Sequence, residues 1–82
     1  MTTVVVTCTA PAGGLIQAQI DGKPVSGEVK LDKGNHPLTW HVFGAPGTRY
    51  SIEISEPENL KFKHEATLDN EQKDAGLHWI VI

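Results

Sequence analysis

The chain has a single cysteine, Cys8, so no disulfide can form within it. Small secreted domains of this size usually rest on several such bridges, and a reducing compartment is expected. Positive charge is also scarce: seven Lys and Arg stand against ten Asp and Glu, for a net charge of -3. Counterion release from phosphates then has little to draw on, so no nucleic-acid partner is expected. No apolar run approaches the ~18 residues of a membrane span, which argues against membrane insertion. The opening "MTTVVVTCTA" has no basic region and only three consecutive apolar residues, too few for a signal peptide. The expected location is cytoplasmic, unless a leader was trimmed from the chain.

Catalytic patterns are missing too. Ser26, Ser51 and Ser55 stand in no G-x-S-x-G elbow, and Cys8 has the inward parity of a core thiol. Gly13-Gly14 precedes a strand pattern, so it offers phosphate no helix N-terminus, and no cofactor is expected. Glu56 and Glu58 flank a turn proline and read as solvated. Asp69, Glu71 and Asp74 share a polar stretch without the glycine and distal glutamate of a calcium loop. The chain is not expected to be an enzyme.

What remains is two-residue alternation with no sustained 3.6-residue period, the pattern of an all-β chain. "TVVVTCTA" places Val4, Val6 and Cys8 on one face. "LIQAQI" does the same with Ile16, Ala18 and Ile20. Asp21-Gly22 then signals a type I′ hairpin, because both central residues need positive φ. "VSGEVKL" turns Val29 and Leu31 inward and leads into "DKGNHP", a loop by composition. Leu38, Trp40 and Val42 share one face of the next strand, and Tyr50, Ile52 and Ile54 share one face of the strand after it. Pro46-Gly47 between them suits a type II turn and predicts that these two strands form a hairpin. "LKFKHEATL" alternates again, "DNEQKDAG" reads as a long loop or brief helical turn, and "LHWIVI" reads as a central strand, apolar on both faces.

About seven short antiparallel strands in one domain spanning residues 1–82 predict an immunoglobulin-like β-sandwich, with a small β-barrel as the alternative. Its core is expected to centre on Trp40 and Trp79. The stretch "DGKPVSGEVKLDKGNHPLTWHVFGAPGTRYSIEI", about half the chain, resembles bacterial modules of the PEGA type and their immunoglobulin-like relatives. The shared features are the "DG" turn, the "KG-x-H" turn, the aromatic strand and the "PG-x-x-Y" turn. "FGAPG" stands in place of the PEGA tetrapeptide. The resemblance implies a non-catalytic accessory or interaction role and transfers no functional residues.

Function is therefore expected to lie in binding a protein partner through an exposed strand face or edge. An edge strand also offers a route to a homodimer. If Leu38, Trp40 and Val42 face the core, Thr39, His41 and Phe43 face outward, and with Arg49 beyond the turn they form the candidate binding set. The alternative from another class is a transition-metal binder using His36, His41, His64 and His78. Their spacings form no H-x-H or H-E-x-x-H motif.

Overall fold

A computed structural model describes residues 1–11 and 13–82. The expected break at "APAGG" includes Ala12, which lies outside the described residues. The alternating segments form eight strands: β1 (Thr2–Thr9), β2 (Leu15–Ile20), β3 (Lys23–Pro24), β4 (Gly27–Leu31), β5 (Asn35–Phe43), β6 (Arg49–Glu56), β7 (Phe62–Thr67) and β8 (Lys73–Val81). They pair antiparallel in two four-stranded sheets, ordered β4-β1-β6-β7 and β3-β2-β5-β8. The architecture is thus an all-β sandwich with open sheet edges, and the closed barrel is excluded. The strand beyond the expected seven is the short β3, which follows Asp21-Gly22 at φ 55° and 78°. Those angles are the positive-φ geometry that the dipeptide predicts. No helix of the described residues is long and apolar enough to cross a membrane.

The core fills the space between the sheets. β1 and β6 supply Val4, Val6, Tyr50, Ile52 and Ile54 from one side; β2 and β5 supply Ala18, Ile20, Leu38, Trp40 and Val42 from the other. Each belongs to the inward set that its strand's alternation marks, because side chains two residues apart share a sheet face. Trp79 does not join them. It is 54% exposed while Trp40 is 4% exposed, which corrects the expectation of a two-tryptophan core. The cause is the phase of β8, in which Ile80 is buried and its neighbours Trp79 and Val81 face out. Nor is β8 central: it pairs with β5 alone and forms the edge of its sheet.

A second correction concerns the Pro46-Gly47 turn. β5 and β6 are not a hairpin, since β5 pairs with β2 and β8, whereas β6 pairs with β1 and β7. The connection carries the chain from one sheet to the other. Gly47, at φ 88°, donates its N–H to the Leu68 carbonyl (2.8 Å), and the Leu68 N–H donates to the Thr48 carbonyl (2.8 Å). The turn is thereby tied to the end of β7. The "DNEQKDAG" stretch is shorter as a loop than expected, because Lys73 to Gly76 already belong to β8. Asp69 Oδ1 accepts the Glu71 N–H at 2.9 Å and organises the crossing from β7 to β8.

Gly76 is the residue that lets β8 lie where it does. It stands opposite Trp40 in the β5–β8 register, and a Cβ built on it would fall 2.8 Å from the indole nitrogen and nearer still to ring carbons. Replacing it with alanine should force the indole or the strand aside and cost about 1–3 kcal/mol, the usual range for overpacking. Chemical denaturation of Gly76→Ala against the parent checks this. A loss under about 0.5 kcal/mol, the scale of an ordinary surface change, would count against the close packing.

Candidate functional site

Parity places Thr39, His41 and Phe43 on the outer face of the β3-β2-β5-β8 sheet, as expected. His41 is exposed, Phe43 is 46% exposed and Thr39 is half-buried. Arg49 is not with them. It begins β6 in the other sheet, where its Nη2 donates to Glu65 Oε2 at 3.0 Å. Lys63 Nζ reaches the other oxygen of Glu65 at 2.9 Å. Lys63, then Arg49, holds that carboxyl below its ordinary range.

The outer face around Phe43 extends further than the sequence indicated. Apart from Met1, the exposed large apolar side chains among the described residues are five, Leu15, Phe43, Leu77, Trp79 and Val81, and all belong to β2, β5 or β8. Their registers arrange them in two groups. Leu15 lies opposite Phe43 at one end, while Trp79 lies opposite Pro37, with Leu77 opposite Thr39 and Val81 opposite Asn35, at the other. Between them run Gln17, His41 and Ala75, which stand in one row across the sheet. Beside that row His41, Phe43, Glu71, Lys73, Asp74 and Ala75 line an open hollow of about 480 Å³. Sequence reasoning missed the β8 stripe because "LHWIVI" is apolar on both parities and shows no phase by itself. The signal that could have located it is Gly76, whose missing side chain marks the inward parity.

The inner side of the same edge carries polar and aromatic groups. The Tyr50 hydroxyl donates a hydrogen bond to Asp74 and lies 3.2 Å from His64 Nε2. His64 packs on Trp40 at 5.2 Å between ring centroids, and His78 stacks flat on Phe62 at 3.8 Å. Because Tyr50 and His64 come from one sheet and Asp74 from the other, the cluster clasps the sandwich across its open side. Burial, reinforced by Asp74, pushes the Tyr50 phenol up to about 12. A phenol held protonated this firmly is no base or nucleophile at neutral pH. Burial also lowers His78. Trp40 Nε1 is buried without a partner of hydrogen-bonding geometry, yet it faces the Tyr50 hydroxyl closely enough to oppose part of that rise.

The histidines proposed as metal ligands are dispersed. His36 makes two 2.7 Å contacts, Nδ1 with Asp21 Oδ2 and Nε2 with the Asp32 carbonyl. Both partners are acceptors, so the ring is best satisfied as the doubly protonated cation. The Asp21 hydrogen bond, then that to Asp32, raises its pKa. His41 lies on the outer face, and His64 and His78 lie within the clasp. Among the described residues no three His, Cys, Asp or Glu side chains are grouped to hold a metal ion. Asp69 accepts the Glu71 N–H, and Asp74 accepts the Tyr50 hydroxyl. Burial raises the Cys8 thiol, the opposite of an activated thiolate.

Tyr50 is the only tyrosine, so the clasp can be read directly by ultraviolet titration. The folded phenol should ionise near 12 and not near 10. The unfolded phenol loses its proton first, so stability holds below about pH 10 and declines as the pH rises toward 12. A midpoint near 10 in folded protein would mean that the hydroxyl is neither buried nor held by Asp74. No family model, curated protein or solved structure matches the chain, so its own surface supports the functional reading.

Proposed function

We propose that the chain is a non-catalytic interaction module that binds a protein partner through the outer face and free edge of its β3-β2-β5-β8 sheet. The observation behind this is the gathering of Leu15, Phe43, Leu77, Trp79 and Val81 on one sheet, while the outer face of the other carries Glu28, Lys30, Glu53, Lys63 and Glu65. Leu77, Trp79 and Val81 make an exposed apolar patch on β8 of the kind that marks interaction sites, and tryptophan is among the residues most enriched at binding hot spots. The resemblance of Asp21 to Ile54 to PEGA-type and immunoglobulin-like bacterial modules supports the same accessory role. A lone half-buried thiol and the absence of excess positive charge fit a cytoplasmic protein with a protein partner.

Arg49 is left out of the binding set because it belongs to the charged sheet and is already paired. Thr39, His41 and Phe43 remain in it, joined by Leu77, Trp79 and Val81. A photoreactive benzophenone residue placed at Trp79 or Phe43 should crosslink a protein in cells of the source, while the same residue at Lys63 should not. Trp79→Ala should weaken capture by tenfold or more, as hot-spot truncations do. Equal crosslinking at Lys63, or none at either apolar position, would overturn the proposal.

A further inference from the structure

The sandwich has four edge strands, β4, β7, β3 and β8, and three of them are blunted. β3 is two residues long and ends in Pro24, β4 turns Glu28 and Lys30 outward, and β7 carries Lys63 and Glu65. Short length, proline and outward charge are the ordinary ways of preventing a sheet edge from pairing with another chain. β8 is neither short nor interrupted by proline. It runs nine residues, Lys73–Val81, and its only charged residues are the first two, Lys73 and Asp74. Its outer side chains Leu77, Trp79 and Val81 are among the most exposed apolar residues of the chain.

Resting on the interaction reading above, we infer that the partner at this edge is a second copy of the chain. The two β8 strands pair antiparallel about a two-fold axis at Leu77, joining the β3-β2-β5-β8 sheets of two molecules into one continuous sheet. In this register the outer-face pairs and the central inner pair of β8 are complementary, while Ile80 stands opposite the Asp74 that accepts the Tyr50 hydroxyl. On the outer face Trp79 lies opposite Ala75 of the second copy, and on the inner face His78 lies opposite Gly76, so a large side chain meets a small one in each pair. Val81 covers the aliphatic stem of the other copy's Lys73, and Leu77 meets Leu77 at the axis. All nine residues pair. Sliding the register by two one way would leave Lys73 and Asp74 unpaired and set His78 against His78, and the other way would leave Ile80 and Val81 unpaired and set Gly76 against Gly76.

The pairing joins like faces. An antiparallel two-fold perpendicular to the sheet keeps outer faces together, which extends the Leu15, Phe43 and Trp79 surface across both molecules instead of covering it. The size of the contact fixes its strength. Nine paired residues bury on the order of 500 Å² per copy, at the lower limit of a specific interface, so the dimer is expected to be reversible and concentration-dependent.

Sedimentation equilibrium of the parent chain between about 10 µM and 1 mM should show a monomer–dimer equilibrium. Leu77 is half exposed, so either charge is tolerated there in the monomer. Leu77→Lys and Leu77→Glu should each be folded by circular dichroism and monomeric, with dimer dissociation weakened tenfold or more. Because Leu77 faces its own copy, mixing the two variants should restore a heterodimer, which a merely structural effect of either substitution would not do. A parent chain monomeric throughout, or dimers indifferent to both variants, would overturn the inference. If the chain is monomeric but benzophenone at Trp79 captures a different protein, self-association is refuted and the interaction reading stands. If the chain is monomeric and neither Trp79 nor Phe43 captures anything, both fall.

Discussion

The packing of Trp40 against Gly76 is the contact on which the arrangement of the second sheet depends. An indole removes about 150–250 Å² from water when buried, roughly 4–6 kcal/mol at 25 cal/mol per Å². Its N–H is left without a partner, which costs about 1–3 kcal/mol. Burial wins, and the indole occupies the inner face of the sheet at the one position of β8 that has no side chain. With Gly76 fixed as inward, the two-residue period sends His78 and Ile80 inward and Ala75, Leu77, Trp79 and Val81 outward. The apolar outer surface therefore follows from a core contact.

The clasp reinforces that phase from the side. Asp74 sits two residues before Gly76 and accepts the Tyr50 hydroxyl, and His78 sits two residues after it and stacks on Phe62. Three successive inward positions of β8 thus each meet a different aromatic residue, of which Tyr50 and Phe62 belong to the opposite sheet. Slipping β8 by one residue would break all three contacts and drive Trp79 toward the core. An edge strand is weakly specified by pairing alone, because it has one neighbour. Here specificity is supplied across the sandwich.

Much of the inner face was legible in the sequence, and the reason is local. Val4 and Val6, Ala18 and Ile20, Leu38, Trp40 and Val42, and Tyr50, Ile52 and Ile54 alternate with polar residues, so each strand announces its own inside. Thr39, His41 and Phe43 followed by the same parity. Pairing was not legible. Pro46-Gly47 marks a chain reversal, but a reversal within one sheet and a crossing between two use the same turn residues, and both leave the same apolar sets inward. Arg49 was misplaced for that reason, since its partner Glu65 comes from β7, a neighbour that only topology reveals. Trp79 was misread because the last strand is apolar on both sides. Its phase is set by Trp40, far away in sequence.

The most direct measurement of this account is hydrogen exchange at the two indole N–H groups, resolved as separate signals in a nitrogen-15 spectrum and assigned through Trp79→Phe. Both tryptophans stand in the same sheet, on strands paired to one another, yet phase puts them on opposite faces. In heavy water, at concentrations where the chain is monomeric, the Trp79 signal should vanish at once. The Trp40 signal should persist, protected by burial and not by a hydrogen bond. Two persistent signals, or a Trp40 signal lost as fast as that of Trp79, would contradict the placement of Trp40 beneath Gly76 and with it the outward phase of β8.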